Sequence, residues 1–340
     1  MGLGRRGWTR IGLGVAAAGA VGVGLLVAPA GAGAAPQLPP VTAEELISSM
    51  LTAEPGPFNG TVQLDNRLGL PALPQLPQAA NGISTARVWV AGDRKARVSL
   101  PTAQDERTVV ADGTTVWSWN SADRTVTKAP EPSTSKHAPT DPTAAATAVV
   151  GHLRATSTVD VDGTAEVAGR PAYELVLAPL PTERTLLREV RVAVDAEKRV
   201  PLELTVLTTG SPDPAVRLGF TDLTFGPQEP SLFTFTPPPG ATVREAPGAT
   251  AREAPAHPEG TGPGAAEPTV VGDGWDTVVI AAVPTGDRTS ELAALGKPVS
   301  GPWGSGHEFT TAVGTAILTD DGRIAAGAVP GQVLTEALAK

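Results

Sequence analysis

Short runs of alternating apolar and polar residues, separated by turn signals, recur from Phe58 to Thr224, and that rhythm constrains the fold more than any other feature. The first series comprises Phe58 to Asp65, Arg87 to Val90, Arg97 to Leu100, Thr108 to Ala111, Thr115 to Asn120 and Arg124 to Lys128. Ala91-Gly92-Asp93, Asp112-Gly113 and Ser121-Ala122-Asp123 separate runs at hairpin spacing. The second series comprises Thr158 to Val161, Thr164 to Val167, Ala172 to Ala178, Glu189 to Val194, Val200 to Thr208 and Val216 to Thr224. Turns at Asp162-Gly163, Ala168-Gly169 and Asp195 to Lys198 are expected between them. Tyr173/Leu175/Leu177, Val190/Val192/Val194 and Leu202/Leu204/Val206 each give a strand one apolar side, so these meanders need a cover.

Two segments can supply it. Thr42 and Glu45 form a capping box ahead of Leu46, Ile47, Met50 and Leu51. Asp141 and Pro142 read as N-cap and first position of a helix to Leu153, with Val149, Val150 and Leu153 toward the sheet. Leu68 to Gly82 is too proline-rich for a central strand; its Leu68, Leu70, Leu73 and Leu76 either pack locally or form a lid or partner-contact loop. Leu232 to Gly240, with three successive prolines, is expected to close the unit.

Beyond it lies a proline-rich linker in which Arg244-Glu245-Ala246-Pro247 is echoed by Arg252-Glu253-Ala254-Pro255. The tail regains pattern: a strand Thr277 to Val283, a helix near Thr289 to Leu295, a hairpin of Thr310 to Leu318 and Arg323 to Ala328, and a helix Gly331 to Leu338. The expected organisation is a signal at 1–35, a mainly β domain at 36–245, a linker at 246–268 and a small α+β domain at 269–340.

Arg5, Arg6 and Arg10, an apolar stretch from Ile11 to Val27 and small residues from Ala28 to Ala35 have the three parts of a secretory signal. The alternative is a retained membrane anchor, but A-x-A triplets at Ala28-Pro29-Ala30 and Ala32-Gly33-Ala34 favour cleavage. Absence of cysteine removes disulfides, thiolate chemistry and lipid attachment at an N-terminal Cys. The chain carries −9, and a signal with three Arg and no acid leaves −12 after removal, which argues against nucleic acid as a partner. The same acidity argues against charge-driven docking on anionic headgroups.

With these elements in place, the runs DGTTVWSWNSADRTVTK (112–128), VAGRPAYELVLAP (167–179), VRVAVDAEKRVPLELTV (190–206) and LFTFTPPPGATV (232–243) resemble, in order, signatures of the LolA-like superfamily. That superfamily holds the lipoprotein carrier LolA and the sigma-E regulatory protein RseB, also called MucB. The resemblance covers roughly Val41 to Glu245 and looks most like secreted members from GC-rich, actinobacterial-type bacteria. It implies a curved, incompletely closed antiparallel β-barrel whose helices plug a hydrophobic cavity. It also implies an acyl chain of a lipid or lipoprotein as ligand. In the regulator alternative, the partner is a membrane protein such as an anti-sigma factor; a carrier would meet a transporter.

Candidate cavity residues are Trp89, Trp117, Trp119, Tyr173, Leu175, Leu177, Val192, Leu202 and Leu204, each of which could equally be ordinary core. Trp117 and Trp119, two apart on one strand, share a side. Nothing points to catalysis, a metal or a cofactor. His137, His152, His257 and His307 are scattered, and Trp303-Gly304-Ser305-Gly306-His307 lacks the first glycine of a nucleophile elbow, so Ser305 reads as loop. Asp320 and Asp321 beside Gly322 read as turn formers. The expected function is a non-enzymatic extracytoplasmic carrier of a hydrophobic ligand. N-terminal sequencing of the exported protein should find its first residue between Gly31 and Gln37; an intact chain beginning at Met1 and lodged in the membrane would contradict the signal reading.

Overall fold

Pairing by hairpin register turns the alternating runs into one long sheet. The computed structural model describes residues 36–69, 81–102, 105–130, 142–246, 268–283, 293 and 295–340, and the expected signal lies outside these residues. Strands β1 (Phe58–Asn66), β2 (Gly82–Gly92), β3 (Lys95–Pro101), β4 (Glu106–Asp112), β5 (Thr115–Asn120) and β6 (Thr125–Pro130) form the first meander. The second consists of β7 (Ser157–Val167), β8 (Arg170–Pro179), β9 (Leu187–Asp195), β10 (Pro201–Thr208) and β11 (Val216–Phe225). The two join through β1 and β11, and with β12 (Thr242–Glu245) the order is β12-β6-β5-β4-β3-β2-β1-β11-β10-β9-β8-β7. The edges β12 and β7 do not pair, so no barrel closes, but the sheet curls enough for β7 to touch β11.

Two helices lie on one side of this sheet. In α1 (Ala43–Leu51) the Thr42 hydroxyl accepts from the Glu45 N–H and the Glu45 carboxylate from the Thr42 N–H, satisfying two helix-end donors. α1 and α2 (Pro142–Leu153) pack against each other and, through Leu46 and Val150, against Val159, Tyr173, Leu175 and Val194. Leu51 is 40% exposed and Val149 46% exposed, so neither joins the buried face expected for it. At 100° per residue, Ala146, Val150 and Leu153 are the positions of α2 that can face the sheet together.

Three other expectations are corrected. Asp162-Gly163 is not a turn: β7 runs on through it as a bulge, with Gly163 at φ +99. The Leu232 to Gly240 segment does not end the sheet; after a 3-10 turn at Pro230–Phe233, β12 adds in parallel to β6. The Thr310 to Leu318 arm of the expected hairpin starts later, at Thr315, because Gly314 and the Thr311 hydroxyl make a turn before it. Asp141, residues 247–267 of the linker and most of the expected Thr289 to Leu295 helix lie outside the described residues.

Six further strands form a second sheet: β13 (Thr269–Val271), β14 (Val278–Ala282), β15 (Lys297–Gly301), β16 (Gly304–Thr310), β17 (Thr315–Thr319) and β18 (Arg323–Gly327), ordered β13-β14-β18-β17-β16-β15. Helix α3 (Gly331–Leu338) covers one face by burying Val333, Leu334, Ala337 and Leu338 against Val278, Ile317 and Ala325. The two sheets meet along the β8–β9 connection. Arg184 forms a bidentate pair with Glu336 at 2.6 and 2.9 Å, the Leu186 N–H donates to Ala328 O at 2.9 Å, and the Trp275 indole N–H donates to Ser157 Oγ at 2.7 Å. Gly274, at φ +66, is needed where the backbones approach: a Cβ there would stand 2.5 Å from Thr156.

One buried charge ties down the β9–β10 turn. Asp195 is fully buried and accepts from Arg170 Nε and Nη2 and from the Glu197 and Lys198 N–H groups at 2.8 and 2.6 Å. Burial opposes its charge, but Arg170 and the two backbone donors outweigh it and hold the carboxyl below its usual range. Because the folded pKa is depressed, this stabilisation is present above the unfolded value of about 3.9 and is lost as pH falls through the folded one. Asp195→Asn, which leaves the partly buried Arg170 only its exposed partner Glu197, should cost about 3–5 kcal/mol in urea unfolding. It should also flatten the loss of stability below about pH 4; a variant as stable as the parent would refute this role.

Candidate functional site

Opposed residues of a ladder share a face and successive residues alternate, so register sorts the candidates. Trp119 opposes Thr108, Thr108 opposes Ser99, Ser99 opposes Arg87, and Arg87 opposes Thr61. From Leu64, of the other parity on β1, the ladder passes to Leu218, Leu204, Val192 and Leu175. Trp89, Trp117 and Trp119 therefore lie on the face opposite Leu175, Leu177, Val192 and Leu204. A single cavity wall shared by both sets, as expected from parity within strands, is excluded.

The tryptophan side is partly covered by its own chain. The Leu232 to Phe235 segment lies across it: Phe233 is buried, Phe235 packs on Trp117 at 5.7 Å between ring centroids, and Arg97 Nη1 donates to Leu232 O at 3.4 Å. Val110 and Val126 are fully buried beside them. The Trp117 indole N–H donates to Asp112 at 3.2 Å, and the Lys128 ammonium sits 5.4 Å from the ring centre. Burial would raise the Asp112 pKa, yet donors from Thr114, Thr115 and Trp117 pull it down to about 2. The result is a structural cluster.

On the other face the helices decide what is open. Tyr173 and Leu175 are buried beneath α1 and α2, with Leu177 and Val192 packed against the same cluster, and the Tyr173 hydroxyl donates to Pro39 O at 3.0 Å. A bulge between Pro201 and Glu203 takes Leu202 out of step with Leu204, into a separate cluster with Val167, Ala172 and Ala193. Leu204 remains in line with Leu218.

Past the helices the face opens. β2 and β3 pair only from Arg87 and Ser99 inward; beyond that the strands part, and a hollow of about 420 Å³ opens between Ser84 to Ala86 and Leu100 to Thr102, with Val62, Leu64 and Leu218 completing its wall. Leu218 is 40% exposed and Ile83, at the rim, 67%. The size falls within the ~300–1,000 Å³ of small-molecule sites. Its polar atoms are hydroxyls and backbone, so its chemistry is apolar burial. Sequence reasoning placed Val62, Leu64 and Leu218 on alternating strands but had no signal for where helix cover stops.

Among the remaining candidates, Leu68 is described: its carbonyl accepts from the Ala312 N–H at 3.0 Å, linking the end of β1 to the second sheet. Leu70, Leu73, Leu76, His137 and His257 lie outside the described residues. His152 ends α2. Ser305 is on strand β16, not in a loop, and its hydroxyl donates to the Asp320 carboxylate, with His307 Nδ1 3.9 Å from the same group; Asp321 binds Thr319 and Arg323 in the turn. Among the described residues, no three His, Cys, Asp or Glu side chains are grouped to hold a metal, and no helix is long and apolar enough to cross a membrane.

No family model and no curated protein matches the chain. Fifty-four chains of solved structures match. MucB in the Pseudomonas aeruginosa MucA/MucB complex is 18% identical, covering 87% of this chain and 96% of that one, with a TM-score of 0.42. An uncharacterized conserved protein from Thermus thermophilus is 14% identical over 60% of this chain and 99% of its own, at 0.38. A LolA superfamily protein from Nitrosomonas europaea is 11% identical over 58% and 99%, at 0.25. At 18% identity or less and TM-scores of 0.42 or less, these are structures that the chain is similar to.

Proposed function

We propose that this protein is an extracytoplasmic, non-enzymatic carrier or binding protein for a hydrophobic ligand, the acyl chain of a lipid or lipoprotein. The ligand lies in the hollow between β2 and β3. The signal at 1–35 is removed on export, and the acyl chain stays shielded from water while it is held. The observation that carries this reading is Leu218. It is the third residue of β11, on the face that the helices cover elsewhere, and it is 40% exposed over an apolar wall. Each methylene that leaves water there contributes about 0.8 kcal/mol, so six to eight give an affinity in the micromolar range once association is offset.

A fluorescent fatty-acid probe should bind the wild type and be displaced by long-chain lipids. Leu218→Trp should fill the hollow, leaving the melting temperature within about 3 °C while lowering probe affinity at least tenfold. Leu175→Trp, placed beneath α1 and α2, should instead unfold or melt far lower. A wild type that binds no probe would overturn the carrier reading.

A further inference from the structure

Arg107 stands out on the face that bears the hollow. Across the sheet from β6 through β5, β4, β3, β2, β1 and β11 to β10, the positions of this face are Thr125, Thr127, Ser118, Ala111, Val109, Val98, Leu100, Ala86, Val88, Val62, Leu64, Leu218, Leu204 and their like parity; Arg107 is the one charge among them. Its cross-strand neighbours are Leu100, which lines the hollow, and Asn120. Paired residues hold their Cβ atoms about 4.5–5.5 Å apart, so the arginine stem rises beside the hollow's wall.

Arg107 is partly buried, yet its side chain forms no ion pair and no hydrogen bond with any described residue. The nearest acid along the strand is turned away: Glu106 has the opposite parity, and its carboxylate accepts from the Ser99 and Thr108 hydroxyls at 2.6 and 2.8 Å. Other arginines of the sheet are engaged, Arg170 with Asp195, Arg191 with Glu174 and Glu189, Arg217 with Glu203, and Arg97 with Leu232 O. A guanidinium that keeps its donors free beside an apolar wall is placed to receive an anion.

We propose that Arg107 is the anchor for an anionic head, carboxylate or phosphate, of an amphiphile whose acyl chain occupies the hollow. This rests on the carrier reading and narrows it to negatively charged amphiphiles. The planar fork of Arg107 matches both oxyanions in a bidentate pair.

The test compares three soluble probes of one chain length, dodecanoate, dodecyl phosphate and dodecanol, by calorimetric titration at pH 8. The wild type should bind both anions at least tenfold more tightly than the alcohol, and rising salt should erode that difference. Arg107→Gln should lose at least tenfold for the anions and leave dodecanol unchanged; Arg107→Lys should restore part of the loss. Thermal melts confirm folding of each variant. Dodecanol binding equal to that of the anions, or a Gln variant that weakens all three alike or none, would overturn the proposal while leaving the carrier reading intact. Failure of all three probes to bind would overturn both.

Discussion

The two-residue period of an extended strand, handed from strand to strand by backbone pairing, is the constraint on which the rest of this molecule depends. Because Leu64, Leu218, Leu204, Val192 and Leu175 oppose one another in turn, an apolar side formed locally in each strand becomes a continuous apolar face across the sheet. α1 and α2 cover one part of it. The part between β11 and β3 has no described helix over it, and there the strands separate. The same period directs Trp89, Trp117 and Trp119 to the reverse side, where Phe233 is buried and Phe235 packs on Trp117.

Irregularities in the period are as consequential as the period itself. The bulge at Asp162-Gly163 keeps β7 a single strand along the sheet's edge, and the bulge after Pro201 moves Leu202 into the cluster of Val167 and Ala172. Near that bend, Asp195 gathers four donors and Arg170 stacks on Phe225 at 4.8 Å. A turn anchored so fully holds the curl of β8 to β10 against which the helices pack. The second sheet adds a further restraint, since Trp275 and Gly274 sit directly on the joint between α2 and β7.

Much of this architecture was legible in the residues. Thr42 and Glu45 announced α1, Gly331 to Leu338 matched α3 to the residue, and the turn signals at Asp112-Gly113 and Ala168-Gly169 fell where chain reversal occurs. What was not legible depended on contacts remote in sequence. Parity within a strand says that Trp117 and Trp119 share a side; it does not say that Leu175, eight strands along in the order of the sheet, lies on the other. Nor could periodicity separate Leu218 from Leu175, since both are apolar positions on regular strands and differ only in whether a helix lies above them. β12 was missed because four exposed residues after a polyproline run carry no alternation of burial, only backbone pairing. Arg107 was overlooked because the absence of a partner is a property of the fold.

The account stands on which face takes the ligand, and photo-crosslinking reports that directly. A long-chain fatty acid bearing a diazirine near its methyl end, irradiated on the intact protein and mapped by peptide mass spectrometry, should label the segments Ile83 to Ala86, Leu100 to Thr102 and the stretch around Leu218. Labelling confined to Trp89, Trp117, Trp119 or Phe235, or the absence of any saturable label, would contradict it.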